Sequence, residues 1–378
     1  MRRADQRRLA ELIVWALQYQ QVRLALLALA LIGLGVWLIA GRPGCEPPPA
    51  PTLPDEPPVN TAPVPAGPGE YLLCFWNVEN LFDDRDDRRT QRGDQEYDQW
   101  YSHDAAALNE KLKHLADVLV AMNGGRGPDV LCVAEVESLR ACQLLQQAFN
   151  RRVPDPNLRY TSVLFDSPGG GRHIGTAILT RLPVEGKPVL WGNRLRILEG
   201  RVSVGGHPLV VVASHWSSRV SDHTGATRAK YADVIYGRFR RMYTANPKVD
   251  FLVCGDFNDN PDDPSVTEHL HAVGDADAVL AGGGVPLLFN PMDRLWQAGQ
   301  ASLFNGPRGY LFDQVCVSPG MLDDEGWSLV PDSAQVVKQV AQRNGRPNRF
   351  GGEKNDRRPL SARGASDHFP VTVTLRAR

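Results

Sequence analysis

Six cysteines in 378 residues are few, and none form a Cys-x-x-Cys pair or a zinc-ligand spacing. That excludes a disulfide-stapled scaffold and a zinc ribbon. Cys74, Cys132, Cys254 and Cys316 each stand inside an apolar run, the setting of a buried free thiol. An excess of positive charge is also missing. Of 42 Lys and Arg and 43 Asp and Glu, six Arg and five acids fall in the first 69 residues, which leaves residues 70–378 at about −2. A domain that holds nucleic acid by bulk charge is excluded, although a local phosphate-binding patch is not. No Arg/Lys-rich groove is spelled out, and there is no internal repeat. Long hydrophobic runs are scarce as well: Leu24–Ala40, 17 residues without a charge, is close to the ~20 needed to span a bilayer.

What surrounds that run gives it an orientation. Arg2, Arg3, Arg7, Arg8 and Arg23 precede it and only Arg42 follows closely, so the positive-inside rule places residues 1–23 in the cytoplasm and the bulk of the chain outside. A cleaved signal peptide wants small residues at its cleavage site, and Leu38 occupies one of those positions. A lipid-modified Cys45 is disfavoured by Arg42 and Pro43. Gly41–Gly69 then holds 11 Pro in 29 residues, a composition that forms a semi-rigid spacer rather than a core. The expected organisation is a basic N-terminus over 1–23, a signal anchor over 24–40, a linker over 41–69 and one large domain over 70–378.

Within that domain the stretch Phe251–Asn260 organises the rest. Phe251–Cys254 is a short apolar run of buried-strand character, broken by Gly255 and followed by Asp256 and Asn258. If extended geometry continues, those two side chains point the same way. A carboxylate and an amide aimed together can activate water and hold an oxyanion; taken alone, the stretch fits an Asp/Asn-rich turn equally well. The pattern recurs. Tyr71–Trp76 ends in Asn77 and Glu79, Val130–Ala134 in Glu135, and Pro208–Ala213 in Ser214-His215, while Asp367-His368 precedes the alternating strand Val371–Leu375. An acid directly after an all-apolar strand is costly to bury unless it is paired or binds a metal. Five such ends point to one site at one rim of the sheets. Helical faces over Leu108–Met122, Leu139–Phe149 and Arg228–Tyr243, with a hairpin from Arg196–Val204 to Pro208–Ala213 through Gly205-Gly206, predict a two-sheet core with helices outside.

These residues also match a family. Phe75–Phe82, Leu131–Glu135, Gly175–Ile178, Ser214–Trp216, Gly255–Asn258, Phe312–Val315 and Ser366–His368 follow one another in an order that resembles the endonuclease/exonuclease/phosphatase superfamily of deoxyribonuclease I-like enzymes. The resemblance implies a four-layer α/β/β/α sandwich and a divalent metal, usually Mg²⁺, with Mn²⁺ as an alternative. It implies that Glu135 is the main metal ligand and that Asn77, Glu79 and Asp367 bind or organise the metal; many members carry Asp where this chain has Glu79. Asp256 matches the residue that aligns or deprotonates the attacking water, and Asn258 an amide that contacts the phosphate. His368 matches the histidine on the scissile phosphate, Asp313 the acid that orients it, and His215 a second histidine of the deoxyribonuclease I-like branch. Asn80, Arg172 and Arg219 are added as phosphate-contacting candidates.

The chemistry is coherent without the resemblance. A carboxylate-held metal neutralises a phosphodiester, an Asp takes a proton from water, and a His kept protonated by an acid stabilises the charged transition state. Bland readings accompany the sharp ones. His103, His114, His207, His223, His269 and His271 read as surface residues, and His173 as part of a solvated turn. Arg228 serves equally as a phosphate ligand or as part of a plain surface helix. The charge run Asp83–Asp98 reads as a solvated loop, and Trp216 as core or a stacking surface. Between Asp313 and Asp367 lie 53 residues, including Gln342–Gly364, which reads as a substrate-side loop or a disordered excursion. The expectation is a membrane-anchored, metal-dependent phosphoesterase cleaving nucleic-acid phosphodiesters. Phospholipid or inositol-phosphate hydrolysis is the alternative, a non-catalytic binding module the remote one, and no protein partner is inferred.

Overall fold

The computed structural model describes residues 69–378 other than 169, 170, 193 and 339–341. The expected anchor Leu24–Ala40, the basic segment before it and the spacer up to Pro68 lie outside the described residues. No helix among the described residues is long and apolar enough to cross a membrane.

Near-continuous apolar runs bury strands on both faces, and two seven-stranded sheets result. In the first, the long strand Gly69–Leu81 pairs antiparallel with Val371–Ala377 and parallel with Val130–Val136, which in turn pairs with Gly175–Thr180. In the second, Ile197–Val204 and His207–His215 form the expected hairpin, and Phe251–Asp256 lies between His207–His215 and Asp313–Val317. The sheets pack face to face through residues such as Leu73, Phe75, Val211 and Leu252, all fully buried.

Helices cover the outer faces. Ala105–Val120 and Leu139–Asn150 lie on the first sheet, their apolar stripes at Leu108, Leu112, Leu115 and at Ala141, Leu145, Phe149. Asp104 and Ser138 cap them by accepting from the backbone N–H groups of Ala107 and Ala141, which satisfies donors that a helix start otherwise leaves open. Ala226–Ala245 covers the second sheet, packing Tyr231, Ile235 and Phe239 against Val212, Phe251 and Val253. The mixed α/β sandwich is therefore the expected one, and the five free cysteines of the domain are buried in it.

Two expectations are corrected. The charge run Asp83–Asp98 is not a solvated loop: a helix begins at Arg92, and Asp83, Asp94 and Asp98 are buried. Burial is tolerated because each acid is bonded. Asp94 accepts from Arg172 Nε and from the His173 backbone, and Asp98 from the backbone N–H groups of Asp87 and Arg89, which offsets desolvation. Arg228, in turn, is neither on the surface nor free for phosphate. It is buried and paired with Asp259 at 2.7 Å and Asp222 at 3.5 Å.

Candidate active site

Strand register brings the polar ends together. In the second sheet Asp256 stands opposite His215 on one side and Asp313 on the other. In the first, Asn77 stands opposite Ala134, so Glu135 follows at the same end, and Phe75 pairs with Val371, so Asp367 and His368 enter there too. The Ser366–His368 turn is pinned from both sides. Ser366 Oγ donates to the Asn77 carbonyl at 2.6 Å, and Trp76 Nε1 donates to the His368 carbonyl at 2.9 Å.

Asn77 is the joint. Its Nδ2 donates to Glu135 Oε1 at 3.2 Å and to Asp256 Oδ2 at 3.1 Å. The backbone N–H of Asn80 donates to Glu135 Oε2 at 3.0 Å, and Asn80 Oδ1 accepts from Arg172 at 2.5 Å. Glu79, Asn80, Glu135 and Asn258 all adopt left-handed φ, between 52° and 64°. Four non-glycine residues held in that sparsely populated region around one cluster is strain of the kind that collects at functional sites. It breaks the ladder at Glu135, between Ala134 and Val136, where the register shifts toward both neighbouring strands. It also corrects one expectation: the 251–256 strand stops at Asp256, so Asn258 does not share its direction by alternation. Instead the Asn258 backbone N–H donates to Asp256 Oδ1 at 3.0 Å and its Nδ2 to the Trp216 carbonyl at 3.2 Å.

The two histidines are driven to opposite charge states. His368 Nδ1 bonds Asp313 Oδ2 at 2.8 Å, and its Nε2 lies 3.9 Å from Asp256. Burial disfavours its charge, but Asp313, Asp256 and Asp367 outweigh that and raise it well above its ordinary value. His215 lies 3.8 Å from Asp256 and 4.0 Å from Glu135, yet burial, with Arg196 nearby, pushes it down to about 3. Burial and the neighbouring Asp313 raise Asp256 to about 7. Burial likewise works against the Glu135 charge, but Arg172, Asn77 and the charged His368 together hold it below the ordinary carboxylate range.

The carboxylate side of the cluster has the chemistry of a hard-cation site. Glu135, Asp367 and Asn77 offer oxygen ligands, the type Mg²⁺ and Ca²⁺ prefer. Asp367 accepts no hydrogen bond among the described residues, and burial with the Glu135 charge raises it. A crowded carboxylate without a donor is what a bound cation would complete. A second grouping, Asp256, Asp313 and His368, is also tight enough to hold an ion. There, however, His368 Nδ1 is already committed to Asp313, the arrangement of a proton-holding pair. Glu79 is placed differently from expectation. Its carboxylate is closed off by Arg349 Nε at 3.1 Å and by the backbone N–H groups of Phe350 at 2.8 Å and Gly351 at 3.1 Å.

Arg219 is drawn away as well. Its Nε and one terminal nitrogen bond the Asn258 carbonyl, Asp259 and Asp263, and its guanidinium lies over Phe312. Trp216 is core, stacked on Phe257 at 4.3 Å between centroids. Two participants were missed in the sequence. Lys111 is fully buried with its Nζ donating to the Ala365 carbonyl at 2.7 Å. Burial pushes it down to about 8 against the pull of Glu79, Asp367 and Glu135. Its signal was present: it sits three residues after Leu108 and four before Leu115, a charge on an apolar stripe. Arg349 gave no such signal, because it lies in the 342–364 insert, 270 positions from the Glu79 carboxylate its guanidinium bonds.

Residues 72–184 and 195–377 match the model of the Endonuclease/Exonuclease/phosphatase family. The chain belongs to that family, whose enzymes are metal-dependent phosphoric ester hydrolases. No curated protein matches it in sequence. Among solved structures it is similar to TDP2 of D. rerio complexed with a single-strand DNA product, with 15% identity, TM-score 0.48, and 81% of this chain and 98% of that one covered. It is also similar to the human Nocturnin catalytic domain (14%, 0.47, 81% and 94%) and to a mannosyl-6-phosphatase of Bacteroides thetaiotaomicron (14%, 0.47, 81% and 99%).

Proposed function

We propose that this chain hydrolyses nucleic-acid phosphodiesters by direct attack of water, assisted by Mg²⁺ or Mn²⁺ held by Glu135, Asp367 and Asn77. The observation that carries the reading is the facing of two charge types across one small cluster: Glu135 with Asp367 on one side, His368 clamped by Asp313 on the other, and Asp256 between them. When bound, the metal would neutralise the anionic phosphate and polarise it. Asp256, with one oxygen held by the Asn258 backbone and the other by Asn77, aligns water and accepts its proton. His368 donates from Nε2 to a phosphoryl or leaving-group oxygen while Asp313 keeps it charged. His215, neutral, offers a ring N–H without adding charge, and the Asn258 amide and Arg172 lie at the rim of the same cluster. Glu79 acts as a support for the metal side through its neighbour Asp367. For Arg219, spent on Asp259 and Asp263, we propose positioning of the Asn258 turn. On sequence pattern alone, we further propose that Leu24–Ala40 anchors the protein and that the domain lies on the extracytoplasmic side.

The test uses the full-length protein with supercoiled plasmid, sphingomyelin and a phosphoinositide as substrates. Nicking is expected to require Mg²⁺ or Mn²⁺ and to stop in EDTA. Asp256→Asn and His368→Ala are each expected to lose roughly 10²–10⁴-fold in rate with melting temperatures near wild type. Full nicking by either variant would overturn the site. Cleavage of a lipid substrate with no nicking would overturn the nucleic-acid reading and leave the site standing.

A further inference from the structure

The 342–364 insert contains a concentration of charge that the balance of the whole chain conceals. Residues 342–363 carry seven Lys and Arg against two acids, Glu353 and Asp356, inside a domain that is otherwise acidic. The insert is ordered around a small hairpin, Gln342–Arg343 with Arg346–Pro347. It is fastened to the core by Phe350, which is buried against Trp100 and the Lys111 ammonium. A groove of about 610 Å³ opens along it, lined by Arg343, Arg346, Arg349 and Arg358. Asp356 neutralises Arg358 through a 2.5 Å ion pair. Arg343 and Arg346 are exposed and have no acidic partner among the described residues. Arg349 joins the groove to the active site, because its guanidinium lies 3.1 Å from Glu79 and helps hold down the charge cost at Asp367.

A second hairpin, Leu303–Asn305 with Arg308–Tyr310, lies beside the insert. The Arg346 guanidinium sits 5.3 Å from the Phe304 ring, and that of Arg308 5.0 Å from the Tyr310 ring. Three residues beyond Tyr310 the chain reaches Asp313, the partner of His368. Arginines interleaved with part-exposed aromatic rings, leading to the reacting centre, are the makings of a surface for unpaired bases and their phosphates. A membrane surface would be met by basic residues with large aliphatic groups. The exposed groups here are Arg, Asn and Gly instead.

We infer that the insert and the 303–310 hairpin form a binding surface for a single-stranded nucleic-acid strand, with Arg343 and Arg346 taking phosphates outside the one that is cleaved. This rests on the phosphodiesterase reading above for the direction in which the strand runs. Its test does not depend on turnover. The full-length protein in detergent is titrated in EDTA into a fluorescein-labelled 12-nucleotide single strand, and anisotropy is followed over a range of salt concentrations. R343A/R346A is expected to weaken binding at least about tenfold and to lower the slope of log affinity against log salt by about 1.4, two contacts at about 0.7 each. R343K/R346K is expected to restore most of the slope, because the charges return. Unchanged affinity in the alanine variant would overturn the inference. So would equal affinity for a duplex of the same length, or, in a parallel titration with phosphatidylserine vesicles, a loss in the alanine variant that the strand titration does not show. Strand binding that follows these expectations in a protein that cleaves no nucleic acid would support the surface and sink the catalytic reading instead.

Discussion

At Glu135 three demands meet on one side chain. Its backbone is held at a φ of 64°, its two oxygens accept from Asn77 and Asn80, and its charge is kept by Arg172 and His368 although it stands in a buried cluster. A structural carboxylate would need only the hydrogen bonds; keeping the charge as well is what the proposed role as a metal ligand requires. Glu135→Gln preserves the shape and removes the charge. The metal concentration giving half-maximal activity is therefore expected to rise by on the order of 10–100-fold, measured by titrating Mg²⁺ against initial rate. An unchanged metal requirement would show that Glu135 does not bind it. The histidines teach the same lesson: both end strands or turns in the same cluster, yet partners separate them. Asp313 makes His368 cationic, whereas burial keeps His215 neutral, its Nδ1 having no partner among the described residues. Environments that push like groups apart are how an acid and a neutral donor are assigned within one site.

At the scale of the element, the site is a matter of register. His215, Asp256 and Asp313 are neighbours only because three strands end level, and a slip of one residue would turn each side chain to the other face. Gly255 protects that alignment. A Cβ there would run into the Ser214 carbonyl oxygen and come within 2.9 Å of the Phe257 ring. Gly255→Ala is expected to cost about 1–3 kcal/mol, as overpacking does, and to reduce activity along with melting temperature. A variant that melts like wild type would mean that the 207–215 and 251–256 strands have slack at this point. The Gln342–Gly364 insert packs against the active-site end of the domain. It is placed by burying Phe350 and bonding Glu79, contacts that short-range sequence pattern does not register.

For the whole molecule, stability depends on acids distant from the site. Asp250 accepts the Trp327 backbone N–H at 2.9 Å, and burial, with Asp323 nearby, raises it to about 7. Its folded value thus lies above its unfolded one, near 3.9. The folded state holds the proton more tightly, so this contribution to stability is complete below about pH 4 and is lost as pH rises through about 7. Asp250→Asn keeps an acceptor for Trp327 and removes the titration. The variant is expected to melt higher than wild type at pH 8, with the gap closing toward pH 4, measured by thermal unfolding across that range. A gap that widens toward low pH would reverse the assignment.

Periodicity in the sequence determined the strands, the helical faces and the free, buried cysteines, because burial of apolar surface acts on each segment almost independently. The family was legible separately, through the resemblance of seven short motifs in a fixed order, since the polar ends of those strands are local words. The tertiary structure alone decided which polar residues meet. Glu79, expected at the metal, is bonded by the insert; Arg219 and Arg228 are spent on Asp259; Lys111 is carried beneath the carboxylates from a helix stripe. A basic groove emerged from a nearly neutral composition. Charges act through space across a few ångströms, and the chain brings together in that distance residues 270 positions apart, as Glu79 and Arg349 are.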